Sequence, residues 1–373
     1  MDQLLAKILV ETENGKRFYR FANADHKSWL MPVTNMWTAM ELYQPSGMKG
    51  KLVKRLLPWL HGLPVVRKVI HADSKSYQLN AELRQILEQL FGSTDLEFSI
   101  FCGTPCVHQK ITLQIYQRNQ ILGYCKLTDS DAVAHLFQQE NQLLMEFQQA
   151  ALQAVPQPLF CRPLSNGIWT FVQTTTKTRQ SRIVHTWTSL HEAFLERLYQ
   201  CTQRELLFEE SDYHKQLQEL MDHKGWLPDE MPVKEIVKSY DHLMAKWRGK
   251  RVQFAACHAD FTPWNMFVEQ GKLFVFDWEY AQKTYPPGLD RYHFFTQTAF
   301  FAQHWSQKEI IHYMHADAGY WMERDTFIAY LLDMIARFTL REKRKVRGNI
   351  VPLMHLWGGL LTELNASRSE QKI

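Results

Sequence analysis

No window of this 373-residue chain approaches the ~18–20 consecutive apolar residues of a membrane-spanning helix. A transmembrane segment is therefore not expected. The opening residues, MDQLLAKILVETENGKRFYR, are too charged and too short in their apolar run for a secretory signal. There is no internal repeat and no low-complexity tract. Excess charge of one sign is also small. Against 43 Lys and Arg stand 39 Asp and Glu, and a net charge of +4 gives little support for a nucleic-acid partner. Six cysteines, at 102, 106, 125, 161, 201 and 257, fall on no paired metal-ligand spacing. Several lie inside apolar runs, where a free thiol behaves as a small hydrophobe. A reduced, cytoplasmic protein is the expectation.

What is present is ordinary globular composition, with 45% hydrophobic and 22% charged residues. The length suffices for two lobes, since single cores seldom exceed ~250–300 residues. Residues 1 to 95 form an opening section, in which Leu5–Thr12 and Arg17–Ala22 flank an Asn14-Gly15 turn of hairpin type. Residues 48–69 are basic and amphipathic, interrupted by Pro58 and Pro64, and a helix over Ala81–Phe91 stops at Gly92. From Glu97 a three-strand meander is expected, then a helix over Ala132–Leu152 and a strand pair about Asn166-Gly167. Beyond residue 180 the pattern is mostly helical, with strand-like interruptions at Val252–Ala256, Met266–Glu269 and Leu273–Phe276.

The chemistry concentrates at one of those interruptions. Cys257-His258-Ala259-Asp260-Phe261-Thr262-Pro263-Trp264-Asn265 is followed by an apolar strand ending in Asp277-Trp278-Glu279. Phosphoryl transfer needs a carboxylate to orient and deprotonate a hydroxyl, and oxygen ligands to hold magnesium against a nucleotide's phosphates. Asp260, Asn265 and Asp277 supply that set. Taken singly, Asp260 and Asn265 also suit turn positions beside Pro263.

His258-x-Asp260 with Asn265 and Asp277-Trp278-Glu279 resembles the catalytic core of the aminoglycoside phosphotransferase and choline kinase family, over roughly residues 97–340 and most strongly over 254–295. The resemblance implies an α+β, two-lobed, protein-kinase-like fold. A small β-rich N-lobe would cover residues 96–178, and a larger, mostly helical C-lobe residues 179–373, with the extra N-terminal section ahead of them. It also implies roles. Asp260 would be the catalytic base, Asn265 and Asp277 the metal ligands, and His258 and Asp290 structural supports of the loop. Lys126, at the end of a strand, would contact the α- and β-phosphates, held by Glu140 on the next helix; Glu146 is a competing partner and Lys110 a second candidate lysine. Gly103 is the single glycine of the expected nucleotide loop, Phe101 to Cys106, where protein kinases have three.

After Asp277 there is no Phe-Gly, no long activation segment and no Ala-Pro-Glu, which favours a small molecule over a protein as acceptor. Glu279 and Trp278 are candidate substrate contacts, with a buried or capping carboxylate as the alternative for Glu279. Trp187, Trp226, Trp305 and Trp321 are candidates for a cation or sugar face, or simply core. His304, His312, His315 and Asp317 read as solvated helix residues, and so does the run Arg341–Arg347. The expected activity is transfer of the γ-phosphoryl of ATP or GTP, with Mg²⁺, to a hydroxyl of an amino alcohol, aminoglycoside or sugar-like molecule. The alternatives are a kinase of a cell-envelope or glycan precursor and a catalytically weak, pseudokinase-like binding protein. Residues 48–69 could contact an anionic surface; a packed helix with solvated lysines is the simpler account.

Overall fold

The structure, a computed structural model, describes residues 2–23, 26–45, 47–69, 72–103, 109–316, 323–343, 346 and 350–370. The chain divides into two compact units. The first comprises Met1–Gln149, Gln153–Arg182 and Phe267–Glu279; the second comprises Ala150–Leu152, Ile183–Met266 and Tyr280–Ile373.

The first unit is built on one eight-stranded antiparallel sheet. Its strands are β1 (Leu9–Ala22), β2 (Ser28–Pro32), β3 (Ala72–Leu79), β4 (Glu97–Phe101), β5 (Ile111–Gln117), β6 (Gln120–Thr128), β7 (Pro158–Pro163) and β8 (Trp169–Thr174). They lie in the order β3-β1-β2-β4-β5-β6-β8-β7. Both faces are covered, so alternate residues enter different clusters. In β2, Leu30 packs with Leu83, Leu87 and Ile100, whereas Trp29 and Met31 join Met36, Met40, Leu57 and Tyr116.

The opening section is thus no separate body. β1, β2 and β3 continue the sheet, and β2 pairs with β4 at Trp29↔Phe101 and Leu30↔Ile100. Without β2, β4 would present unpaired backbone groups as an edge strand. The expected Asn14-Gly15 hairpin does not form. Leu5 lies in the helix Asp2–Ile8, and β1 runs unbroken while Glu11 and Lys16 both stand opposite Tyr77. The intervening residues bulge from the ladder. A Cβ at Gly15 would lie 2.6 Å from Tyr77 N, so only glycine allows that approach.

The helix Ala81–Phe91 forms where expected, with Asn80 Oδ1 accepting from Leu83 N (2.8 Å) and Gly92 left-handed beyond it. The helix Asp131–Gln149 buries Val133, Phe137, Glu140, Leu144 and Phe147 along one stripe. Four are apolar and one is a carboxylate. That carboxylate belongs to the candidate site.

The second unit is mainly helical around a core that includes Phe208, Leu217, Phe254, Tyr292, Leu331 and Trp357. A three-stranded antiparallel sheet places Arg251–Cys257 between Gln282–Tyr285 and Arg204–Leu207. The two flanking strands, of four residues each, are too short to show a period in sequence. An α+β chain with a β-rich first part and a helical second part is the observed class.

Candidate functional site

Lys126 lies on β6, opposite Thr112 on one side and Phe171 on the other. It is buried, and its Nζ donates to Glu140 Oε2 (2.6 Å), Glu140 Oε1 (2.9 Å) and Asp277 Oδ1 (2.6 Å). Glu140 is fully buried, and a second bond reaches its Oε1 from Trp278 N (3.3 Å). Glu146 points elsewhere, accepting from Gln142 Nε2 on its own helix. Glu140 is therefore the partner of Lys126.

Asp277 reaches this cluster from a hairpin, Met266–Glu269 and Lys272–Val275. Arg182 and Val268 exchange backbone hydrogen bonds (3.0 and 2.8 Å), and Val275 N donates to Ala154 O (3.0 Å). Asp277 itself has φ 67°, a left-handed conformation uncommon for a residue with a Cβ and concentrated at functional positions. Lys110 Nζ adds bonds to Asp277 Oδ1 (3.4 Å) and to Glu279. Burial acts to lower the Lys126 and Lys110 ammonium groups, but the carboxylates around them outweigh it and hold both raised. Burial pushes Glu140 up, opposed by Lys126 and reinforced by Asp277.

Glu140, Asp277 and Glu279 bring carboxylate oxygens within 4.8 Å of one another, the one group of this kind among the described residues. Such hard oxygen donors suit magnesium. Lys110 proves a full member of the cluster rather than a rival to Lys126. Trp278 corrects an expectation: it is 1% exposed, its ring meets Phe147 edge-on at 4.8 Å, and its Nε1 donates to Val275 O (3.1 Å). It packs the core and offers no surface to a substrate. Gly103 has φ 70°, and a Cβ there would lie 2.5 Å from Lys110 O, so the position requires glycine. Thr104-Pro105-Cys106 lie outside the described residues.

In the second unit the strand Arg251–Cys257 delivers the loop from His258 to Asn265. Asn265 Nδ2 donates to Asp260 Oδ2 (2.7 Å) and Asp260 O (3.0 Å). With the amide nitrogen so engaged, Oδ1 is the atom of that group able to ligate a metal. His258 is buried, and its Nδ1 accepts from Asp260 N (3.2 Å). Asp290 accepts from His258 N (2.8 Å) and Ala259 N (2.9 Å), with Cys257 Sγ 3.3 Å away. Burial, then the Asp290 charge, keeps Cys257 a thiol. Ala259 has φ 67°, which those bonds hold in place.

Two residues of this network carried no sequence signal. His293, one turn after Asp290 on the helix Leu289–Phe301, places Nε2 3.1 Å from Asp260 Oδ1. Arg337, on the helix Arg324–Glu342, donates to Ala259 O and pairs with Asp333. Trp187 and Trp305 come together in a cavity of about 500 Å³ with Phe294, Phe295, Tyr313 and Arg291. Trp226 packs against His223 at 4.1 Å instead. His304 and His312 are exposed, whereas Trp321, Asp317 and the side chain of His315 lie outside the described residues.

Residues 125–293 match the phosphotransferase enzyme family. The family match opens one residue before Lys126 and closes on His293, so it holds Glu140, the Asp260–Asn265 loop, Asp277 and Asp290 together. The match falls inside the roughly 97–340 over which the motif's resemblance was drawn, and reaches upstream to β6. No curated protein matches the sequence. Among solved structures, the apo form of a thermostable mutant of aminoglycoside phosphotransferase APH(4)-Ia is similar at 13% identity and a TM-score of 0.48, over 76% of this chain and 98% of that one. Choline kinase LicA from Streptococcus pneumoniae is similar at 15% identity and a TM-score of 0.45, over 77% and 100%. Amicoumacin kinase hAmiN, in complex with AMP-PNP, Ca²⁺ and Ami, is similar at 13% and 0.44, over 68% and 85%.

Proposed function

We propose that this chain is a small-molecule kinase that moves the γ-phosphoryl of ATP or GTP to a hydroxyl group. The observation that carries the reading is Lys126, a buried strand lysine bonded to both the helix carboxylate Glu140 and Asp277. A lysine so held has its ammonium fixed and charged, as contact with the α- and β-phosphates requires.

Asp260 takes the acceptor's proton as its oxygen bonds to phosphorus and the bond to the β-phosphate oxygen breaks. Asn265 and His293 hold its two carboxylate oxygens, one each, so the base is oriented before an acceptor arrives. Asp290 and Arg337 fix the loop through the backbone at Ala259. Asp277 and Asn265 are the oxygen donors proposed for Mg²⁺. When bound, that ion neutralises phosphate charge that would otherwise oppose transfer. The absence of a long activation segment after Asp277 supports a compact acceptor such as an amino alcohol or sugar, and we place the protein in the cytoplasm.

Thermal shift with ATP and GTP, with and without Mg²⁺, tests the first half of this reading, because a ligand that binds only the native state raises apparent stability. Nucleotide consumption across a panel of hydroxyl compounds tests the second. A chain that no nucleotide stabilises is not this kinase.

A further inference from the structure

The helix Met48–Leu60 and the residues just after it carry an unusual surface. Fifteen large hydrophobic side chains are exposed among the described residues, and eight of them lie between Met48 and Val65. Met48, Trp59 and Val65 are 86%, 72% and 74% exposed, too open to be the margin of a core. Met48, Leu52, Leu56 and Trp59 recur at spacings of four, four and three, a single stripe of the helix. The opposite side anchors it: Leu57 and Pro58 are buried, Leu57 among Tyr19, Met36 and Tyr116. Trp59 also meets Trp37 edge-on at 4.9 Å, and the Arg179 guanidinium lies over Trp37 at 4.9 Å.

The charge around the stripe has one sign. From Gln44 to Ala72 the sequence holds six Lys and Arg and no Asp or Glu. Lys49, Lys51 and Arg55 are exposed beside the apolar stripe, while Lys54 turns back to Glu41 (3.2 Å). Protein interfaces are depleted of lysine at their cores. Aliphatic residues and a tryptophan interleaved with lysine and arginine match instead a helix lying in the headgroup region of a bilayer.

We propose that residues 48–65 dock this protein on a membrane surface rich in anionic lipid. The apolar stripe enters the headgroup boundary, and Lys49, Lys51 and Arg55 meet the lipid charge. The inference is independent of the phosphotransfer reading, and its test requires no activity.

The full chain is sedimented with vesicles of phosphatidylcholine alone and of equimolar phosphatidylcholine and phosphatidylglycerol. Binding to the anionic vesicles is expected, weakened by salt and roughly fivefold by each cation removed in Lys49→Gln, Lys51→Gln and Arg55→Gln. The triple variant Met48→Glu, Leu52→Glu, Leu56→Glu should lose it while melting like the parent chain, because all three side chains are exposed on the stripe. Absence of binding, equal binding to both vesicles, or undiminished binding by the folded triple variant would overturn the proposal. So would a dimer that this variant disperses in a chain that ignores vesicles, since the stripe would then cover a second copy.

Discussion

Lys126 Nζ lies 2.6 Å from Asp277 Oδ1 across 151 residues of chain, and the same atom lies 2.6 Å from Glu140 Oε2. A buried pair is fragile towards loss of one member, because the other is left as an uncompensated charge. Lys126→Met should therefore lower stability by about 3–5 kcal/mol in urea unfolding. It should also abolish stabilisation by nucleotide. Glu140→Gln keeps the shape and a hydrogen-bond acceptor and should lose less. Equal stability of Lys126→Met and the parent chain would mean that the pair carries no structural load.

Asp260 tests the chemistry itself. Asp260→Asn retains an acceptor for Asn265 Nδ2 but cannot take a proton. Acceptor-dependent release of nucleoside diphosphate should fall roughly 10²–10⁴-fold, the range for loss of a general base. Nucleotide affinity and melting temperature should stay near those of the parent. Undiminished turnover would remove Asp260 from the role.

His293 is a positioning residue, acting through Asp260. His293→Phe should reduce kcat by up to about 10²-fold, the effect of a small misplacement of a reacting group. KM for nucleotide should be unchanged, and His293→Gln, which restores a donor, should recover part of the loss. A variant that lowers stability and leaves kcat intact would mark the residue as structural only.

Much of this arrangement was legible in the sequence because it is local. The Asp260–Asn265 spacing sits within one loop, and Gly92 stops the helix Ala81–Phe91 by its own backbone preference. Glu140 was reached only through the family resemblance, with Glu146 as a rival, and its burial among apolar residues of one helix stripe is what the structure adds. What stayed hidden depends on distant pairing. Nothing near Asn14-Gly15 announces that Tyr77 will face both Glu11 and Lys16 and turn a hairpin into a bulge. Nothing near Trp278 says that Phe147 will cover it. His293 and Arg337 lie 33 and 78 residues from the groups they bind, on helices whose pattern is satisfied by packing alone.

His191 gives a prediction in pH. It is buried at the start of the helix Ser189–Thr202, stacked on Trp187 (5.1 Å) and edge-on to Phe294 (4.9 Å) and Phe261 (6.2 Å). Its Nδ1 accepts from Thr188 N (3.0 Å). Burial lowers its pKa from the ordinary 6.5, against the smaller opposing pull of Thr188 and Glu192. The unfolded chain therefore takes up this proton at a higher pH than the folded one. The stability it contributes is full above about pH 6.5 and is lost as the pH falls below it. His191→Gln keeps an acceptor for Thr188 N and cannot be protonated, so its melting temperature should fall less between about pH 7 and pH 5 than that of the parent. Parallel curves for the two proteins would show that the imidazole does not resist protonation in the fold.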